Sequence, residues 1–476
     1  MSAASQDATT PPSPEQVVAI LKKESTTEPT YEVLSLEQTD QNGKPSFALR
    51  RSSYAENSKA LQDLRDDFGI NQPPVHLQPG SQRRLHVIVS TNSGTGLSTQ
   101  FYENVLAPLF EAFGLTATSG ESGQGSYHLL ITQNAESVKE FSKDLAVRDR
   151  GETNVEHTIV LLSGDGGIID LLNGYASSTE SAGSATNLPL IAILPLGTGN
   201  ALFHSLHKKV TSPPAATDLV QGLRTLLRGK AAPLPSFKVA FPEGSRTITY
   251  SETSEPASTA NDSTTDSSPI LDEQTEYVTH LYGVVVASYG FHSQLVWESD
   301  TPEYRKHGAQ RFHMVAEQLL KESHAYRATV EIGRSSASPS TTANENGFQK
   351  LDRDEHAYIL ATPVSNLEKT FCISPASEPL DGQLRLVHFG PVDGAKTMEI
   401  MVAAYDEGKH VGKDEVGYEE IDELRITTHE EDVRWRKVCI DGTIVEIPAG
   451  RRLVVSKEAR RHLRVLVDGS TAYNSS

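Results

Sequence analysis

The chain is 476 residues long and carries 43 Lys and Arg against 62 Asp and Glu, a formal charge of −19. That acidity excludes a general nucleic-acid binder, because neutralising phosphates takes a basic surface. At about 150 residues per domain the length predicts two or three domains, so a small disulfide-stapled scaffold is excluded as well.

The two cysteines, Cys372 and Cys439, form no CxxC pair, so neither a zinc site nor a disulfide framework is expected, and a reducing cytoplasm fits best. The opening MSAASQDATTPPSPEQ lacks the basic start and apolar run of a signal peptide. LYGVVVASYGF at 281–291 is the longest nearly apolar stretch, far short of the roughly 20 residues that cross a bilayer. Membrane contact is therefore expected to be peripheral.

In chain order, residues 1 to about 16 are rich in Ser, Thr and Pro and predict a disordered tail. YEVLSLEQ and PSFALRR predict two strands around the turn QNGK, with a helix near 58–68 after them. Residues 1–80 are thus expected to be a partly disordered extension with at most a small β-rich segment. From 84 to 238 short apolar runs alternate with helical patterns: LHVIV, TQFYENVLAPLFEAF, HLLIT, ESVKEFSKDLAV, HTIVLL, IIDLLNGYA and LIAIL. This alternation predicts a three-layer, Rossmann-like parallel-sheet nucleotide-binding domain. After about 239 the pattern turns to KVAF, RTITY, YVTHLYGVVVA, RATVEI, AYILAT, QLRLVHF, IVEIP and RLVVS, which predicts a mostly antiparallel β-sandwich domain to 470. Two polar stretches in it, 251–276 and 335–347, predict disordered insertions.

Three of the expected parallel strands run into Gly-rich turns, where open α/β sheets bind ligands. The first turn is STNSGTG at 90–96; its glycines let backbone N–H groups approach an anion, although it lacks the lysine of a Walker A loop. The second, SGDGG at 163–167, sets Asp165 at the start of a helix, where a carboxylate either caps locally or handles a cation or proton. PLGTGN at 195–200 is the third. Each alone reads equally as a capping turn. Together, with one carboxylate among them, they predict a cradle for nucleotide phosphates.

The ordered set STNSGTG, SGDGGIIDLLNG and LPLIAILPLGTGNAL resembles the catalytic domain of the diacylglycerol, sphingosine and ceramide kinases, over roughly 84–240. That resemblance implies a lipid kinase using ATP and Mg²⁺, with the nucleotide between two domains. It implies nucleotide contacts from Asn92, Ser93, Gly94 and Gly96, from Ser163, Gly164 and Gly166, and from Gly197, Thr198, Gly199 and Asn200. Asp165 is implied as the group that deprotonates the lipid hydroxyl or organises magnesium, the latter through water, and no direct metal ligand is assigned.

In the later domain YRKHGAQRF is similar to an R-x-x-G-x-x-R-(F/Y) segment of sphingosine and ceramide kinases, which implies phosphate contacts from Arg305 and Arg311. CIDGTIVEIP is similar to a late D-G-E motif and implies Asp441 and Gly442 near the site. Thr91 stands where the first loop usually has Pro, and Thr443 where D-G-E has Glu. Gln294 stands where an acidic substrate residue is expected, with Glu298 or Asp300 as stand-ins. GNAL at 199–202 leans the expectation toward a sphingoid base or ceramide; the alternatives are a diacylglycerol kinase and a catalytically weak nucleotide- or lipid-binding regulator. A kinase acting on NAD shares the G-G-D-G loop, and PLGTGN argues against it. A local charge of +6 over 434–464 is a candidate for orienting the protein on a bilayer, or simply exposed charge beside the last strands.

Overall fold

An apolar run without alternation, such as HTIVLL, is stable as a strand only when both of its faces are covered. The computed structural model shows how that covering is achieved. It describes residues 11–23, 30–41, 44–56, 58, 61–91, 94, 96–120, 123–151, 154–179, 187–208, 216–252, 271–308, 310–334 and 347–473. Residues 1–10 of the expected tail, and 253–270 and 335–346 of the expected insertions, lie outside them. The chain divides into two compact units, Met1–Leu234 with Arg460–Ser476, and Pro235–Ala459.

The first unit is built on a seven-stranded sheet. Its centre is Arg83–Val89, flanked on one side by Ser126–Ile131 and Thr116–Thr118, on the other by Glu156–Ser163 and Leu190–Pro195. These five run parallel. Beyond them Arg464–Val467, from the far end of the chain, lies parallel to Leu190–Pro195, and Lys230–Pro233 closes the edge antiparallel. Side chains alternate between faces along each strand. Leu85, Val87, Val89, Val160 and Leu162 enter one core, shared with Phe101, Leu106, Leu223 and Leu226 from helical segments. Helices Ser137–Asp149 and Asp165–Thr179 cover the opposite face.

Ahead of this sheet, Lys44–Ala55, Thr30–Gln41, Val17–Lys23 and Gly69–Ile70 form a four-stranded sheet in that order. The first pair is antiparallel in unbroken register from Thr30↔Ala55 to Gln41↔Lys44. One face contributes Val18, Leu34, Leu36 and Phe47 to the core of the larger sheet, with the Phe47 and Phe101 rings 5.4 Å apart. The other face packs Val17, Ile20 and Tyr31 against Leu64 and Phe68 of helix Gln62–Phe68. Arg224 fastens the two parts, donating to the Val17 carbonyl at 2.9 Å with its guanidinium 4.5 Å from the Phe68 ring centre.

In the second unit two antiparallel sheets share one core. Phe237, Val239, Val330, Leu424 and Val455 come from one sheet, and Tyr289, Ile359, Leu386, Val438 and Val445 from the other. Arg246–Glu252 and Leu271–Tyr277 pair along their whole length, so the ends of the first expected insertion are strand.

The expected class, a parallel Rossmann-like domain followed by a sandwich, is corrected. The loop-bearing sheet is mixed rather than parallel, because Lys230–Pro233 runs against its neighbour. An antiparallel sheet precedes it and shares its core, and most strand pairs of the described residues are antiparallel. The reason is physical: an apolar run marks a strand but not its direction, and edge pairing between segments far apart in sequence leaves no local periodicity.

Candidate phosphate-loop site

Arg83–Val89, Glu156–Ser163 and Leu190–Pro195 are neighbours in register, Val89 opposite Leu162 and Ser163 opposite Pro195, so their carboxyl ends form one edge. The chain leaves Arg83–Val89 toward one side of the sheet and returns on the other, which makes this edge a switch point where ligands bind in such sheets. Ser90 N–H donates to Leu162 O at 3.1 Å, and Leu196 N–H to Ser163 O at 3.2 Å, which carries the register into the loops.

The loops approach one another more closely than side chains would permit. A Cβ on Gly197 would stand 2.3 Å from Gly164 Cα, and one on Gly94 would stand 2.6 Å from the Thr198 nitrogen. Asn200 closes the third loop on itself: its Oδ1 accepts from Gly197 N–H and its Nδ2 donates to Gly197 O, both at 2.9 Å. It does so at φ 50°, a left-handed conformation that Asn tolerates better than most residues. Gly166 faces open space at the first turn of helix Asp165–Thr179, as does Gly96 in the first loop at φ +67°. Ser163 is buried under Gly167, whose absent Cβ would meet Ser163 Oγ at 2.6 Å.

Asp165 joins the second loop to the third. Its two carboxylate oxygens accept from Ala201 N–H at 2.8 Å and Leu202 N–H at 3.0 Å, the first amides of helix Ala201–Leu206. Both of the chemistries foreseen for this position are therefore open to it: it caps a helix, though of the neighbouring loop, and a carboxylate has more lone pairs than its backbone donors occupy. Burial raises its carboxyl above the usual 3.8, and those two amides with its own backbone N–H pull it back down.

Of the expected contact residues, Gly94 packs against Thr198, and Gly164 against Gly197 beside Asn200, at the edge where Ser163 precedes Gly164 and Asp165, and Gly199 sits between Thr198 and Asn200; a Cβ on Gly96 or Gly166 would meet no neighbour within 4 Å, and Asn92 and Ser93 lie outside the described residues. Two residues went unread. Thr132, at the end of the neighbouring strand, accepts from Thr91 N–H at 3.0 Å and receives the Thr91 hydroxyl on its carbonyl at 3.0 Å, so Thr91 ties down the first loop where Pro is usual. Asp170 has its carboxyl pushed up to about 7 by burial and by Glu136, while Lys139 opposes the shift. Its position in IIDLLNG was the only signal in the sequence.

In the second unit Asp300 holds both arginines, Arg305 at 3.0 and 2.6 Å and Arg311 at 3.6 Å. Glu298 is buried and accepts from Gln294 at 2.6 Å and Arg434 at 2.9 Å. Asp441, at φ 49° before Gly442, aims its carboxylate at three successive amides, Val284 at 2.6 Å, Val285 at 3.0 Å and Val286. Such a cluster of amides attracts an anion, here one supplied by the chain itself. Asp441→Ala leaves the three donors without it and is expected to destabilise this unit by about 3 kcal/mol or more, read by denaturant unfolding; at about 1–3 kcal/mol per orphaned buried donor, a loss below 1 kcal/mol contradicts the assignment.

Residues 84–230 match the diacylglycerol kinase catalytic domain. This segment carries all three loops. Among solved structures the chain is similar to three diacylglycerol kinases of Bacillus anthracis str. Sterne, two of them so named provisionally. All share 12% identity; coverage is 81 to 82% of this chain and 98% of theirs, with TM-scores of 0.48, 0.45 and 0.46. No curated protein matches the chain.

The diacylglycerol kinase match corrects the lean toward sphingoid-base and ceramide kinases. That lean rested on GNAL, and its residues serve the loop: Asn200 fastens Gly197, the Ala201 and Leu202 amides meet Asp165, and both of those side chains are buried.

Among the described residues no cluster of three or more His, Cys, Asp or Glu side chains is arranged to hold a metal ion. Magnesium usually takes one or two carboxylates and completes its shell with substrate phosphates and water. A lone Asp165 beside close-packed glycine loops fits an ion that arrives with a nucleotide. No helix among the described residues is long and apolar enough to cross a membrane. The basic window is largely occupied internally. Arg434 pairs with Glu298 and Glu322, Lys437 with Glu446, Arg452 with Glu331 and Lys457 with Asp422. In the first unit Arg460 donates to Thr179 O and Arg464 to Leu188 O.

Proposed function

We propose that the protein is a lipid kinase that transfers the γ-phosphate of ATP to the hydroxyl of diacylglycerol at a membrane surface, from the cytoplasmic side. The observation that carries this reading is the close apposition of three glycine loops around the single carboxylate of Asp165, within the segment matched by the diacylglycerol kinase catalytic domain. The loop amides and the start of helix Asp165–Thr179 hold phosphate oxygens, the task for which glycine turns at strand ends are suited. Magnesium, when bound with ATP, offsets the charge that develops on the transferring phosphoryl group. Asp165 takes the proton of the lipid hydroxyl as its oxygen bonds to the γ-phosphorus and ADP departs. The amides of Ala201 and Leu202 keep that carboxylate oriented toward the loop edge.

The deciding assay presents purified protein with labelled ATP, magnesium and mixed micelles of diacylglycerol, ceramide or sphingosine. Label is expected in the diacylglycerol product. ATP binding without transfer to any lipid replaces this reading with that of a nucleotide-binding regulator.

A further inference from the structure

The alternation that sends Leu85, Val87 and Val89 into one core turns His86 to the other face of the sheet, beneath helices Ser137–Asp149 and Asp165–Thr179. There it begins a polar chain. His86 Nε2 is 3.0 Å from His157 Nδ1, and His157 Nε2 is 3.0 Å from Asp149 Oδ1. The Tyr175 hydroxyl donates to Asp149 Oδ2 at 2.8 Å. Both histidines are 6% exposed. His128, opposite His86 on the next strand, meets it edge to face at 5.7 Å, and Phe141 packs on both rings.

His86 Nδ1 has no hydrogen-bond partner among the described residues. A proton added to His86 would place an imidazolium in a dry site facing His157 and His128 from the adjoining strands, Arg148 from the covering helix and Arg84 on its own strand. Burial and those neighbours hold His86 well below its usual 6.5, and burial with Arg148 lowers His128. Asp149 is the anion facing the group, and it is shared with Tyr175, near which Arg460 also lies.

Asp149 therefore grips the helix that opens with Asp165. The two helices are otherwise in close contact: a Cβ on Gly174 would stand 2.6 Å from Lys139 O, and Ser142 Oγ donates to Leu171 O at 2.5 Å. We propose that Asp149 is a positioning residue for the Asp165 helix, and that the neutral His86 buried beneath the two helices makes their packing an acid-weakened latch behind the phosphate loops. The catalytic consequence rests on the reading of Asp165 as the reactive carboxylate; the latch itself does not.

Unfolded histidine titrates near 6.5. Each imidazole kept neutral in the fold thus lowers the folded-to-unfolded ratio about tenfold per pH unit below that point, and contributes no such dependence above it. Thermal unfolding of the full chain from pH 8 to 5 is compared with that of His86→Leu. The variant is expected to lose about one tenfold step per pH unit of the wild-type dependence; parallel profiles overturn the latch. Imidazole nitrogen NMR of the wild type reads the same point without a variant: His86 is expected to stay neutral to pH 5, and titration near 6.5 overturns it. For positioning, Tyr175→Phe is expected to lower kcat about tenfold with the KM for ATP unchanged, and an unchanged kcat overturns that role. Absence of kinase activity in the wild type defeats the functional reading instead, while the unfolding and NMR results still decide the latch.

Discussion

Asp165→Asn is expected to lower lipid phosphorylation by about 10²–10⁴-fold, the range usual for removing a placed base, while the protein stays folded. The variant keeps one acceptor oxygen for the Ala201 and Leu202 amides and turns an NH₂ group toward the other, so a stability cost of about 1 kcal/mol is expected. Retained turnover at more than about a tenth of wild type rejects the assignment. The pH dependence follows from the same carboxyl. Burial raises it in the fold, so the acid limb of the wild-type rate is expected at a higher pH than an ordinary carboxylate near 3.9 would give. For stability the sign is opposite to that of a salt-bridged aspartate: the fold favours the protonated form, and that contribution is lost as pH rises through the raised value. The stability gap between wild type and Asp165→Asn is therefore expected to narrow toward neutral pH, and a gap that widens contradicts the inferred environment.

Gly197→Ala is expected to weaken ATP binding by about 10–100-fold. The new methyl would overlap Gly164 Cα and lie 2.9 Å from Asn200 Oδ1, and backbone that close has no rotamer by which to yield. Forcing the loops apart costs about 1–3 kcal/mol, which converts to that range of affinity. Two other glycines calibrate the result. Gly96→Ala meets no neighbour but must adopt φ +67°, so a loss of about 1 kcal/mol is expected. Gly166→Ala sits in a helix with open space around it and is expected to leave the free protein as stable as before or slightly more so. If it nevertheless raises the KM for ATP, that open space is where phosphate approaches. Equal ATP binding by wild type and Gly197→Ala separates the loop contact from nucleotide binding.

Much of the site could be read in advance because its chemistry is local in sequence. The turns STNSGTG, SGDGG and PLGTGN each follow an apolar run and precede a helical pattern, and glycine and asparagine advertise backbone conformations that other residues avoid. What those turns contact could not be read. Asp165 caps a helix 36 residues downstream, and Asp441 fills an amide cluster about 155 residues upstream. Asp300 pairs with two arginines expected to face phosphate, and GNAL, taken as a mark of the lipid, proves to be loop structure. Those pairings depend on where distant segments meet, and no spacing within a segment encodes that.

The same division holds for the whole molecule. By itself the sequence marked the strands at LHVIV, HLLIT, HTIVLL and LIAIL, the helices between them and the Gly-rich turns, because alternation, helical period and Gly-rich punctuation are properties of neighbouring residues; strand Thr116–Thr118 and helix Asp218–Arg228 went unread. Only the tertiary structure decided that an N-terminal sheet shares the core, that Arg464–Val467 returns to pair beside Leu190–Pro195, and that Asp165 is held between two loops. Those outcomes depend on burying apolar faces and satisfying backbone amides across the fold, a balance that no single segment carries.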